Sequence, residues 1–195
     1  MKEILKYIDE NGIEIIIKKE TFEYSPKDLS ETYSENGKEI YTKQYENGRL
    51  SNISFYAYSN EELQTILKEK NGDTSITFIH YQNSYKITEY LTYKENILIG
   101  NMITVDDKDE NCICFKKYEM KGSELICTIT DKSYFDKGQK KYEFIYNEDG
   151  TCFMIDSVQT YQEDIFAWDI GTSHTDFTWD GFEYYKNTEP LIPEI

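Results

Sequence analysis

Arginine is nearly absent: Arg49 is the single one among 21 basic residues. Proline is scarce as well. There are three, and two of them, Pro190 and Pro193, stand at the C-terminal end. With only two histidines, His80 and His174, a histidine-rich metal site is excluded. No apolar run approaches the roughly 20 residues that a spanning helix needs. The N-terminal stretch from Met1 to Asp9 lacks a sustained apolar core and a small-residue cleavage site. It therefore does not read as a signal peptide, and a cytoplasmic protein is expected. Positive charge is also in deficit. Lys plus Arg is 21 against 37 for Asp plus Glu, a net charge of −16. That field repels nucleic acid and anionic membrane surfaces. It favours a basic protein partner.

Rings and turns make up what is present. Aromatic residues are 15% of the chain, and 18 are tyrosines. The single arginine beside abundant Ile, Asn, Tyr and Lys is the signature of an AT-rich coding sequence. Part of the tyrosine content is thus compositional, and part suits β-sheet packing. A chain of 195 residues supports one β-rich domain over residues 1–195 with its own core. The four cysteines, Cys112, Cys114, Cys127 and Cys152, are expected to be free and buried in a reducing compartment.

Turn signals recur at Asn11-Gly12, Asn36-Gly37, Asn47-Gly48, Asn71-Gly72, Lys121-Gly122, Lys137-Gly138, Asp149-Gly150 and Asp180-Gly181. Asn-Gly and Asp-Gly suit type I′ hairpins, where both central residues take positive φ. The runs between them are rich in Ile, Tyr, Phe and Thr. Ile76 and Phe78 share a face of one alternating run. In another, Ile113 and Phe115 share one face while Cys112 and Cys114 share the other. Ile13–Ile17 is apolar on both faces near its end, as in a doubly covered strand. The expected fold is mainly β, an antiparallel meander or barrel-like sheet of about ten to twelve strands.

One helix is expected at residues 60–70. Ser59 and Glu62 form a capping box, and Leu63, Ile66 and Leu67 make an apolar stripe. Lys68 and Lys70 suit its C-terminal end. Asp28-Leu-Ser-Glu31 offers the start of a second helical turn.

Tyr33-Ser-Glu-Asn-Gly37 and Tyr45-Glu-Asn-Gly48 are near copies, with their Asn-Gly pairs 11 residues apart, and Tyr146-Asn-Glu-Asp-Gly150 echoes them. This resembles the tyrosine-plus-Asn-Gly hairpin repeats of bacterial β-meander proteins, MORN-like ones among them. The resemblance covers about 30 residues. The further glycines and the Trp or Phe of the MORN pattern are missing, so the repeat reads as hairpin chemistry.

Four groups have the residue types of a site. Cys112-x-Cys114 could chelate a metal, but a structural zinc needs four ligands and no C-x-x-C pair is present. Asp106 to Asn111 resembles the start of a calcium loop, yet Cys112 stands where the turn glycine belongs and Tyr118 where the bidentate Glu belongs. Ser173, His174, Asp169 and Asp176 include the members of a hydrolytic triad, without a nucleophile-elbow motif. His80 lies in an alternating run and reads as a strand histidine. The chemistry therefore names no catalytic residue, no cofactor and no metal ligand.

The stretch from Asp164 to Tyr185 stands apart. It carries Trp168 and Trp179, five further aromatics, and Asp164, Asp169, Asp176, Asp180 and Glu183. Aromatics supply desolvated anchors and carboxylates supply steering, which is what docks a basic partner. The other reading is a closing segment whose rings are core.

In size, acidity and absence of a leader or catalytic motif, the chain is similar in type to bacterial immunity proteins of toxin–immunity pairs. That resemblance implies a cytosolic protein, not an enzyme, that neutralises a basic protein toxin by occluding its active site. Its docking residues would be Asp164, Trp168, Asp169, Asp176, Trp179, Asp180 and Glu183. Two other classes are a small-ligand-binding β-barrel with an aromatic interior and an enzyme of another family. The first needs an apolar cavity open to solvent, and the second needs convergence of His80, His174 and nearby carboxylates.

Overall fold

The computed structural model describes residues 4–8, 14–18, 29–70, 72–158 and 164–194. Its strands are β1 (Ile4–Ile8), β2 (Glu14–Lys18), β3 (Leu29–Glu35), β4 (Lys38–Glu46), β5 (Arg49–Ala57), β6 (Thr74–Gln82), β7 (Tyr85–Lys94), β8 (Ile97–Asp106), β9 (Cys112–Lys121), β10 (Glu124–Asp136), β11 (Gln139–Tyr146), β12 (Cys152–Ser157) and β13 (Ile165–Phe166). Helix α1 (Asn60–Glu69) lies between β5 and β6. The strands form one sheet in the order β13-β12-β11-β10-β9-β8-β7-β6-β5-β4-β3-β1-β2. The sheet has two free ends, so it is a meander and not a barrel. Side chains are described for the eleven strands from β3 to β13, within the expected number. The Asn11-Gly12 turn, Ile13, Asp28 and Asn71 lie outside the described residues, as do the side chains of β2.

Hairpin chemistry builds most of this. Asn36-Gly37, Asn47-Gly48 and Lys137-Gly138 all take positive φ at both positions, as type I′ turns require. At Gly122 only the first central residue is positive, the type II′ pattern. Two further hairpins carry no glycine. Asn83 joins β6 to β7, and Glu95-Asn96 joins β7 to β8 with positive φ at both residues. Asp180-Gly181 makes no hairpin; it turns a loop in which the Phe182 amide donates to the Trp179 carbonyl at 2.9 Å. Leu29–Glu31 belongs to β3, so the helical turn expected there is a strand. Its ladder to β4 outweighs a weak capping signal.

The chain divides into two compact units, Met1–Ile79 with Tyr90–Ile99, and His80–Glu89 with Gly100–Ile195. In the first, α1 is the crossover between β5 and β6, which pair in parallel with Ala57 opposite Phe78. A parallel pair needs such a connection. Ser59 caps α1, accepting from the Glu62 amide at 3.2 Å, while the Glu62 carboxylate reaches back to the Tyr58 amide at 2.7 Å. The helix buries Leu63, and Ile66 and Leu67 pack with it against Ala57, Ile76, Phe78 and Leu91.

In the second unit the core is aromatic. Phe144 on β11 is fully buried and stacks on Tyr185 at 4.3 Å. Tyr142, Trp179 and Phe182 pack within 6.4 Å of it. Residues 170–192, which follow β13, therefore pack on this sheet as its cover, and the core reading holds for most of the rings in the Asp164–Tyr185 stretch. Each such aromatic pair adds about 0.5–1.5 kcal/mol beyond its buried area.

Two buried lysines pin the cover. Lys132 on β10 is fully buried, and its ammonium donates to the carbonyls of Tyr184, Asn187 and Pro190 at 2.8–2.9 Å. It also lies 3.7 Å from the Tyr184 ring centroid. Three acceptors and a π face offset the cost of dehydrating the charge. Lys116 on β9 is also buried and pairs with Glu189. Gly150 completes the attachment. Its carbonyl accepts from the Thr188 amide at 2.8 Å, and an added Cβ would stand 2.8 Å from Thr188 Oγ1 at a φ of +85°.

Lys132→Met is expected to destabilise the protein by about 3 kcal/mol in urea titrations, because three buried carbonyls lose their donor. A second outcome concerns pH. Burial pushes the Lys132 ammonium down to about 8. Burial pushes the Cys114 and Cys152 thiols up to about 11 and Tyr118 to about 12. Above pH 8 the unfolded chain holds the lysine proton more firmly than the folded one, so this group's contribution to stability rises with pH. The thiols and phenols act oppositely: their contribution is complete at neutral pH and is lost above about pH 9. The stability of wild type relative to Lys132→Met should therefore rise by about 1 kcal/mol from pH 7 to pH 9. A difference that stays flat would contradict the assignment.

Candidate functional site

The segment that follows β12 divides by what its side chains touch. Phe166 and Trp168 stack with centroids 4.7 Å apart and planes 11° apart. Phe153 on β12 closes against both, at 5.9 and 5.4 Å. Trp168 nevertheless remains 62% exposed. A large ring held in place on two others yet left in water is an anchor without a socket.

Beside it the chain bends through a 3₁₀ turn at Ala167–Asp169. The Asp169 carbonyl accepts from the Thr172 amide at 3.0 Å and from its hydroxyl at 2.7 Å. Thr172 Oγ1 then accepts from the His174 amide, and Thr175 Oγ1 from the Phe177 amide, each at 3.1 Å. These hydroxyl turns hold residues 169–177 around a cavity of about 400 Å³. Asp164, Asp169 and Asp176 line it with His174, and Tyr142 and Phe177 contribute rings. None of the three carboxylates forms an ion pair among the described residues. Uncompensated carboxylates beside aromatic rings suit an ammonium or guanidinium group.

Of the seven docking residues expected from sequence, Asp164, Asp169 and Asp176 line this cavity, and Trp168, the chain neighbour of Asp169, packs on Phe166 and Phe153. The other three are placed differently. Trp179 packs on Phe144 and Phe177, at 6.4 and 5.6 Å, and belongs to the core cluster. Asp180 and Glu183 are exposed but do not line the cavity. Phe153, which supports Trp168, had no signal of its own, since it lies 15 residues upstream on a strand.

The remaining candidates resolve as structure. Asp107 Oδ1 accepts from the amides of Asp109 and Asn111 at 2.8 and 2.9 Å, so that carboxylate closes the β8–β9 loop. Cys114 and Cys152 are buried free thiols, as expected, whereas Cys112 and Cys127 are exposed. The correction has a local cause: Cys112 is the first residue of β9, and Cys127 stands at a register shift of β10. Among the described residues no group of three His, Cys, Asp or Glu side chains could hold a metal ion. His80 Nε2 meets Glu89 at 3.2 Å, and the other Glu89 oxygen accepts from Asn101 at 2.9 Å. Among the described residues no hydrogen bond joins the His174 ring to Ser173, Asp169 or Asp176. No described helix is long and apolar enough to cross a membrane.

Sequence reasoning did not single out Lys116 and Lys132. Their signal was register: Lys132 lies opposite Cys114 on the covered face, two residues from Lys116. Set against known proteins, the chain matches no family model, no curated sequence and no solved structure.

Proposed function

We propose that this chain is a cytosolic immunity protein that binds a basic protein toxin and neutralises it by covering its active site. The carrying observation is the exposed Trp168, stacked on Phe166 and tilted against Phe153, next in the chain to a cavity lined by three carboxylates that form no ion pair among the described residues. In this reading Trp168 is the desolvated anchor. Asp164, Asp169 and Asp176 receive a lysine or arginine of the toxin. The net charge of −16 accelerates encounter with a cationic surface. Carboxylates in such a contact stand where nucleic-acid phosphates would bind a basic nuclease. The open sheet supports this over a ligand-filled barrel, because it encloses no barrel interior.

The test is direct binding to the product of the gene adjacent to this chain's, at low and moderate salt. Association should slow about tenfold or more between roughly 50 and 300 mM salt. Trp168→Ala should weaken binding about 30-fold, mainly through faster dissociation. Asp164, Asp169 and Asp176 changed together to Asn should chiefly slow association. No binding at either salt would overturn the reading.

A further inference from the structure

The two buried lysines differ in how completely they are satisfied. Lys132 meets three carbonyls. Lys116, whose side chain is only 3% exposed, has a single acceptor among the described residues, the Glu189 carboxylate. An ammonium has three donors, so two N–H bonds of Lys116 lack an acceptor there. Burial without full pairing is costly. The acceptor it has is also loosely placed, for the Glu189 side chain is 69% exposed.

Lys116 lines a cavity of about 570 Å³ in the second unit, and Glu189 stands on the wall of the same cavity. The other walls are rich in hydrogen-bonding groups: Tyr118, Thr128, Thr130 and Thr188, with Lys121 adding a second cation. Tyr146 is turned away, donating its hydroxyl to the Tyr185 carbonyl at 3.1 Å. The cavity thus has a buried cation with spare donors, polar walls, and two carboxylates on exposed side chains, Glu189 seated on Lys116 and Glu148 on the wall without an ion pair among the described residues.

We infer that this cavity is a binding site for a small carboxylate ligand, with Lys116 as its anchor and Glu189 as a tethered occupant that the ligand displaces. The carboxylate class follows from the group already seated on Lys116. The volume and the hydroxyl-bearing wall suit a compact polar acid. Displacement releases Glu189 to water, where it is mostly exposed already. The site stands apart from the Trp168 surface and does not depend on the immunity reading.

Glutarate, which presents the same carboxylate on a short chain, is the probe. It is titrated at constant ionic strength into wild type, Glu189→Gln and the Lys116→Met/Glu189→Gln pair, with amide shifts of Thr128, Thr130 and Gly150 as readout. Glu189→Gln should bind with saturable shifts about tenfold tighter than wild type, because the tethered competitor is gone. Wild type should show the same shifts at higher concentration, so the test survives a variant that folds poorly. The double variant, which removes both charges together, should not respond. Two results would overturn the site: no saturable shift in wild type or Glu189→Gln up to about 50 mM, or a response that persists without Lys116.

Discussion

A single buried ammonium organises the second unit of this protein. Lys132 is cut off from water, and among the described residues its acceptors all come from the C-terminal segment: the carbonyls of Tyr184, Asn187 and Pro190. The aromatic cover over Phe144, the seat of Tyr185 and the attachment at Gly150 all follow from that segment's path. An apolar residue at position 132 would pack as well against Phe144 but would leave that path unspecified. Directional pairing with three carbonyls fixes one route where hydrophobic burial alone would allow several.

That route decides which part of the Asp164–Tyr185 stretch is free to act. Rings after residue 176 are drawn into the core, and Trp179 is among them. The rings before it are left on the rim, where Phe166 and Phe153 hold Trp168 in water. The carboxylates divide with them, so that Asp164, Asp169 and Asp176 gather without an ion pair among the described residues while Asp180 and Glu183 stand apart. Composition along this stretch is nearly uniform, and tertiary packing creates the division. The acidity of the whole chain and the local patch then act at different ranges. In the proposed docking the first would steer approach and the second would hold contact.

Hairpin turns and the helix were legible because their signals are local. Asn36-Gly37 and Asn47-Gly48 carry the residues that positive φ demands, and Ser59 with Glu62 announces the start of α1. The Glu95-Asn96 turn was not, because part of what holds positive φ at Glu95 comes from more than twenty residues upstream: the Glu95 amide donates to Asp73 Oδ1 at 3.1 Å, and Asn96 Oδ1 accepts from the Gly72 amide at 3.1 Å. The parallel β5–β6 pair was implied by a helix of crossover length, though the expected meander did not use it. Burial of Lys116 and Lys132 was illegible for a deeper reason. Lysine on a strand reads as solvent-facing, and only the distant residues 184–190 supply its partners. The same long-range packing that hid the lysines also hid the different fates of Trp168 and Trp179.

The proposal that residues around Trp168 form the docking surface is tested most directly by amide hydrogen exchange of the chain, free and bound to the proposed basic partner. The account predicts added protection confined to residues 164–177 and the neighbouring part of β12 around Phe153, with β9 and β10 unchanged. Protection centred elsewhere, with residues 164–177 exchanging as in the free chain, would contradict it.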